Sequence, residues 1–121
     1  MRCDFDMNRF MPELVLFHSE RKCRRYLKSL GVAYEPLERK DAQTWFLASP
    51  GDMRAVVLMQ ADGDWHSDAG LLAHEAVHVA LDVCEELGLE GDEAVAYIAG
   101  EAAEALFRAH EKWKRKHGRV G

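Results

Sequence analysis

Residues 69–87 read AGLLAHEAVHVALDVCEEL, and this segment is the strongest indication of the fold. It contains no proline, and uncharged side chains occupy most of its positions. Asp68 precedes it as the expected N-cap and Gly88 follows it as the expected stop, since aspartate and glycine favour these two ends of a helix. The sequence therefore predicts a long helix that is buried on nearly every side.

A second long helix is predicted shortly after this one. Asp92 is its expected N-cap, and the helix should run to about Lys116 and stop at Gly118. Apolar residues between Val95 and Trp113 recur every three or four positions, as on the buried face of an amphipathic helix. Acidic residues gather in its first half and basic residues close it, an order that suits the helix dipole. The two helices should form a hairpin.

The N-terminal half predicts a small sheet and one further helix. Ser19 is the expected N-cap of a helix that extends to Leu30 and ends at Gly31. Turn-forming residues at 49–52 join the last two strands into a hairpin. These elements predict a single α+β domain over residues 1–121, with a small antiparallel sheet, an N-terminal helix and the C-terminal two-helix hairpin. The strands are expected at residues 13–17, 32–34, 44–48 and 54–60.

Charge restricts the classes of function. The chain has 121 residues and a net charge of −5, from 21 acidic and 16 basic residues. This mildly acidic balance argues against general nucleic-acid binding, so no nucleic-acid partner is expected. One short helix departs from the balance, because Arg21, Lys22, Arg24, Arg25 and Lys28 crowd it. These cations form either a solvated helix face or a basic patch for an acidic partner.

Cysteine usage and hydropathy bear on the compartment in which the chain works. Cys3, Cys23 and Cys84 form no CxxC pair and are odd in number, so neither a zinc finger nor a disulfide framework is expected. Asp4 and Asp6 interrupt the N-terminal apolar run that a signal peptide would need. No stretch approaches the roughly 20 apolar residues of a membrane span. We expect a cytoplasmic protein without a membrane partner.

The five residues 74–78, HEAVH, carry the chemistry of the chain. His74 and His78 are four residues apart, so on a helix they project from the same face one turn apart. Two imidazoles so placed can reach one Zn²⁺ at about 2.1 Å. Glu75 is offset around the helix and would reach a water rather than the metal itself, as a general base must. Burying these side chains without a partner would be costly, which favours a metal over the alternative of a solvent-facing polar stripe.

The motif and the residues after it resemble the zincin metallopeptidases, and more narrowly the gluzincins. In gluzincins a downstream helix with the pattern Glu-x-x-Ala-Asp supplies a glutamate as the third zinc ligand. Residues 93–97, EAVAY, match the glutamate and the alanine, and Tyr97 replaces the aspartate. The resemblance implies a minimal zincin-like fold with zinc held by His74, His78 and Glu93. Small proteins of phage or prophage origin, with an HExxH helix and a Glu-x-x-Ala-Tyr helix, are similar too.

Two further side chains are expected near the metal. Tyr97 lies one turn past Glu93, so its hydroxyl either points at the metal cleft and stabilises an oxyanion or reaches the surface from a core position. Asp82, one turn beyond His78, either orients that histidine or is an exposed helix acid. The other four histidines are expected to be isolated surface residues: His18, His66, His110 and His117.

The third ligand is the least constrained residue of the predicted site. In a tight antiparallel hairpin with a rise of about 1.5 Å per residue, the position opposite His78 lies near residue 102. That geometry favours Glu101, with Glu104 close behind. The resemblance, which covers roughly residues 71–106, favours Glu93. We therefore expect Glu93 as the ligand and keep the two deeper glutamates as alternatives.

These residues predict a zinc-dependent hydrolase, more narrowly a small metallopeptidase that cleaves a peptide or amide bond in a peptide or protein substrate. Glu75 would take the proton of the water that attacks the carbonyl. By analogy with related folds, an extended substrate is expected to pair with residues 55–60 as an edge strand. The first alternative is a zinc-stabilised binding or inhibitor module without turnover, and the second is a metal-free helical interaction domain. The sequence leaves the oligomeric state open.

Overall fold

The computed structural model describes residues 11–34, 41–49, 51–61 and 63–117, and it has the α+β fold that the sequence predicts. Cys3 and Gly118, which entered the predictions above, lie outside the described residues. The elements, in chain order, are β1 (Glu13–Phe17), α1 (Glu20–Ser29), β2 (Ala42–Ser49), β3 (Asp52–Met59), α2 (Trp65–Leu87) and α3 (Asp92–His117).

The sheet is mixed rather than antiparallel. Its strand order is β1-β3-β2, with β2 antiparallel to β3 and β1 parallel to β3. The β2–β3 hairpin forms as predicted, with Gly51 in its turn at a φ of 76° that glycine adopts readily. The expected antiparallel sheet is wrong for β1, because α1 crosses over between β1 and the hairpin and lets β1 run in the same direction as β3.

The ends of α1 explain why one expected strand does not form. Ser19 caps the helix as predicted, since its side chain accepts a backbone hydrogen bond of 3.2 Å from the first turn. Gly31 follows the helix with a left-handed φ of 75°. The backbone N–H of Val32 then bonds to the carbonyl of Leu27 at 2.9 Å. The N–H of Val32 is therefore used at the helix end, and the strand expected at residues 32–34 is not observed.

β3 is the centre of the sheet and separates two apolar cores. Ala55, Val57 and Met59 pack in the core that α2 and α3 form, whereas Val56 and Leu58 pack in the core under α1. All five side chains are fully buried. Helices therefore cover both faces of the sheet, in three layers.

The prediction that residues 55–60 form a substrate-binding edge strand is wrong. β3 is hydrogen-bonded to β1 on one side and to β2 on the other, so it offers no free edge. Its continuous apolar run is typical of a strand that is buried on both faces. Among the described strands, β2 is the edge strand that packs most closely with α2.

Helix α2 begins earlier than predicted and is less buried than predicted. Its N-cap is Asp64 rather than Asp68, because the Asp64 side chain accepts a backbone hydrogen bond of 3.0 Å. Gly88 ends the helix as predicted, with a left-handed φ of 69°. Val77 and Leu81 are 44% and 49% exposed. One flank of α2 packs on α3 and another on the sheet, which leaves a third flank to solvent.

Helices α2 and α3 form the predicted hairpin. The Trp65 ring at the start of α2 approaches the Phe107 ring of α3, with ring centroids 6.2 Å apart. Ile98, Ala102 and Leu106 recur every four residues on the buried face of α3. Within the described ranges, no helix combines the length and the apolar character that a membrane span requires.

Candidate metal centre

The histidines and the glutamate of the HExxH motif lie together near the middle of α2. The Nε2 atoms of His74 and His78 are 3.1 Å apart. One ligand-capable atom from each of His74, Glu75 and His78 lies within 4.8 Å of the other two. Two nitrogens bound to one tetrahedral Zn²⁺ at about 2.0–2.1 Å would be about 3.3–3.4 Å apart, close to the observed separation. The imidazole pair therefore fits a single metal ion.

Glu75 is held in place by a strand residue. The glutamate is only 4% exposed, and its Oε1 accepts a hydrogen bond of 2.7 Å from Thr44 Oγ1. Thr44 belongs to β2, so this bond joins the edge strand to the motif helix. A buried carboxylate needs such a donor, because its desolvation would otherwise be costly. The bond also restricts the orientation of the carboxylate, as the role of general base requires.

A surface groove opens between α2 and the start of β2. One cavity of about 450 Å³ contains the three motif residues and extends to Asp82. A second cavity of about 460 Å³ shares Asp41, Leu71 and His74 with the first and extends to Ser67. We call the two adjoining cavities the α2–β2 groove. Its lining residues are Asp41, Ala42, Gln43, Thr44, Gln60, Ser67, Gly70, Leu71, His74, Glu75, His78 and Asp82.

The exposure of the two histidines changes the reason for expecting a metal. His74 and His78 are both exposed, and only Glu75 among the three is buried. Water can hydrate both imidazoles, so neither needs a metal ion to satisfy its nitrogens. A metal site is instead indicated by geometry. Two imidazole nitrogens lie at a separation suited to one ion, beside a carboxylate that a hydrogen bond holds in place.

Glu93 and Tyr97 lie on α3, away from this group. Both are exposed, and at about 100° per residue they lie on roughly the opposite face of α3 from Ile98, Ala102 and Leu106. Within the described part of the chain, the group of ligand-capable atoms contains no residue of α3. The roles of Glu93 as third ligand and Tyr97 as oxyanion donor therefore stay predictions.

Within the described residues, neither alternative ligand on α3 belongs to the ligand group of the histidine pair. Glu101 and Glu104 are both exposed. The carboxylate of Glu104 forms an ion pair of 2.9 Å with Arg108, one turn further along the helix. Neither glutamate lines the α2–β2 groove.

Asp82 does lie in the groove with His78. Burial raises the pKa of the Asp82 carboxyl, while the nearby His78 acts in the opposite direction and Glu85 in the same one. Asp82 and His78 both line the first cavity, one helical turn apart on α2. Asp82 is partly buried in the groove, and its role in orienting His78 stays a prediction.

A second polar cluster lies where β1, α2 and α3 meet, and the sequence predictions missed it. His110 is fully buried, and its Nδ1 pairs with Nε2 of His18 at 2.9 Å. Nε2 of His110 lies 3.6 Å from Oδ2 of the buried Asp68. The ring of His18 also stacks on Trp113, with ring centroids 3.9 Å apart. The expectation of isolated surface histidines is therefore wrong for His18 and His110.

The burial of His110 had a signal in the sequence. His110 continues the four-residue spacing of Ile98, Ala102 and Leu106, which places it on the apolar face of α3. His66 and His117 are exposed, as expected.

Burial also alters the acid–base behaviour of this cluster. It lowers the pKa of His18 to about 4, with the charges of His110 and His117 acting in the same direction. It lowers the pKa of His110 as well, against the opposing charge of Asp68. Burial thus favours the neutral form of both imidazoles, and two neutral rings can share one hydrogen bond as donor and acceptor.

Comparison with known proteins identifies no relative of this chain. The resemblance to gluzincins rests on the residues of the HExxH and Glu-x-x-Ala-Tyr patterns alone. The chain matches no protein-family model, and no curated protein and no solved structure is significantly similar to it.

Proposed function

We propose that the protein is a zinc-dependent hydrolase, more narrowly a small metallopeptidase that cleaves a peptide or amide bond. The observation that carries this proposal is the imidazole pair of His74 and His78, with Nε2 atoms 3.1 Å apart, beside the buried Glu75. These are the residue types and the spacing that the chemistry of metal-assisted hydrolysis requires.

His74 and His78 would hold the metal through their Nε2 atoms, and Glu93 remains the predicted third ligand. A bound Zn²⁺ would act as a Lewis acid and would lower the pKa of a water toward about 7. Glu75 would accept the proton of the attacking water and pass it to the departing nitrogen. Thr44 donates to Oε1 of Glu75, which leaves Oε2 as the oxygen that carries the proton. Tyr97 is retained as the predicted oxyanion donor.

The substrate would be a peptide or protein segment in extended conformation. The α2–β2 groove is lined by residues 42–44 of the edge strand β2, opposite the motif residues. An extended chain that pairs with a free strand edge gains main-chain hydrogen bonds and is held straight across the site. We therefore propose β2, in place of residues 55–60, as the strand that would bind the substrate.

One observation favours a second candidate, a zinc-stabilised binding or inhibitor module without turnover. The hydrogen bond from Thr44 joins β2 to α2 and satisfies the buried Glu75 carboxylate. A glutamate kept for such a structural link would not need to move a proton. Turnover distinguishes the two candidates, since both retain the metal.

We propose the cytoplasm as the place of action. Cys23 and Cys84 are both buried and unpaired, as is usual for thiols in a reducing compartment.

Elemental analysis tests the metal on which both candidates depend. Protein expressed in zinc-replete medium should contain about one zinc per chain. His78→Ala should lose the metal, whereas His66→Ala should keep it, because His66 is an exposed histidine of the same helix outside the ligand group. Zinc-free parent protein, or equal zinc in both variants, would refute the proposal.

A further inference from the structure

The α2–β2 groove is negatively charged along its length. Three carboxylates line it, from Asp41, Glu75 and Asp82, and no lysine or arginine is present among its described lining residues. Asp41 lines both cavities together with His74, and Asp82 lies one helical turn beyond His78. Negative side chains therefore lie on both sides of the histidine pair.

The surrounding helices strengthen this charge rather than balance it. Residues 69–107 contain no lysine or arginine. The C-terminal end of α2, which carries the negative pole of the helix dipole, lies beyond Asp82 at Leu87. Two further acidic residues of α2 follow Asp82 within about one turn, at Glu85 and Glu86. A bound Zn²⁺ would offset the charge at the histidine pair, so the attraction for a cationic side chain comes from Asp41 and Asp82 on either side of it.

The dimensions of the groove suit a short extended peptide. Along α2 it runs from Ser67 to Asp82, about 22 Å at 1.5 Å per residue. An extended chain of about six or seven residues spans that length. A scissile bond at the histidine pair would then have substrate side chains near Asp41 and near Asp82.

We infer that the substrate of this groove carries lysine or arginine side chains next to the bond that is cleaved. The inference rests on the proposed hydrolase function for the identity of the bond, and on the groove carboxylates for the charge of its neighbours. Asp41 and Asp82 act as specificity-determining residues, each favouring a cationic side chain by an ion pair at the rim of the groove.

Two capped hexapeptides test the charge preference directly. The first has the sequence Ala-Lys-Ala-Ala-Lys-Ala and the second has glutamine in place of each lysine. Both are titrated calorimetrically into the zinc-loaded Glu75→Gln variant, which should bind but not cleave them. We expect the lysine peptide to bind about tenfold more tightly at about 0.05 M salt, and the ratio to approach one near 1 M salt, where screening is strong.

Charge-neutralising variants assign the preference to the groove. In the same background, Asp41→Asn and Asp82→Asn should each reduce the lysine-to-glutamine ratio about two- to fivefold, the range of single exposed ion pairs. Glu86→Gln is the matched control, because it removes one charge from an exposed residue of the same helix outside the groove lining. It should leave the ratio unchanged.

The zinc content of every variant is measured in parallel and separates the two proposals. Absence of zinc from all of them refutes the hydrolase, whereas the peptide ratio in the same samples still decides the charge preference. Equal affinity for the two peptides overturns the inference. So does a ratio that Asp41→Asn and Asp82→Asn both leave unchanged, whatever their zinc content. A lower zinc content in these two variants would show that the carboxylates serve the metal instead.

Discussion

Thr44 Oγ1 donates a hydrogen bond of 2.7 Å to Glu75 Oε1 and thereby ties the edge strand β2 to the HExxH helix. Thr44→Val removes this donor at nearly constant volume and leaves a buried carboxylate with one partner fewer. We expect a loss of about 1–3 kcal/mol in the free energy of unfolding, measured by urea denaturation. The zinc content should not change, because Thr44 is no ligand, whereas hydrolysis should slow as the base loses its orientation.

Thr44→Ser is the control for this relationship, since serine keeps the hydroxyl that donates to Glu75. It should retain most of the stability and of the activity. If Thr44→Val were as stable and as active as the parent, the hydrogen bond would have neither a structural nor a positioning role.

Glu75→Gln separates catalysis from metal binding. The amide can still accept the hydrogen bond from Thr44, so the fold should persist, and the two imidazoles should still bind zinc. Hydrolysis should be abolished, because an amide cannot take a proton from water. Zinc content and turnover of a peptide mixture, followed by mass spectrometry, measure the two properties on the same sample. If the Glu75→Gln variant were as active as the parent, another residue would have to be the general base.

The fold was predictable where local chemistry determines it. Ser19, Gly31 and Gly88 occupy the helix ends that their residue types predict. Strand direction was not predictable from the sequence, because the alternation of apolar residues along a strand is the same in both directions. The N-cap of α2 was misassigned because Asp64 and Asp68 are both good capping residues. In the fold Asp64 accepts the capping hydrogen bond, and Asp68 is buried near His110.

The part of the candidate site that lies on a single helix was predictable from the sequence. Spacing alone places His74 and His78 on one face, and the structure has their Nε2 atoms 3.1 Å apart. The partner of Glu75 was not predictable, because Thr44 is 31 residues earlier in the chain and reaches the helix only through the sheet topology. The exposure of both histidines depends likewise on which flanks of α2 are covered.

The His18–His110 pair should make the protein sensitive to acid. The pKa of His18 is about 4 in the fold, below its ordinary value of 6.5, so the fold favours the neutral form. Stability is therefore fully present above about pH 6.5 and is lost as the pH falls toward 4, because the unfolded chain takes up the proton first. Partial solvent access of His18 screens the effect, so we expect a loss of about 1–2 kcal/mol.

Denaturation at a series of pH values measures this loss. His18→Gln retains a hydrogen-bonding side chain but does not titrate, so its stability should change less between pH 6.5 and pH 4. His66→Gln removes an exposed histidine of α2 and should follow the parent curve. Identical pH profiles for His18→Gln and the parent would exclude the pair as the source of acid sensitivity.

The third zinc ligand is the prediction that the fold constrains least. Glu93, Glu101 and Glu104 are all exposed on α3, and within the described residues none belongs to the ligand group of His74 and His78. We retain Glu93 on the strength of the Glu-x-x-Ala-Tyr pattern. Glu93→Ala should then weaken zinc affinity at least tenfold in a competition assay with a chromogenic chelator, because one of three protein ligands is removed. Glu101→Ala and Glu104→Ala should leave the affinity nearly intact. The reverse ranking would assign the ligand to a deeper glutamate, and equal affinities in all three variants would remove α3 from the metal centre while leaving His74, His78 and Glu75 in their roles.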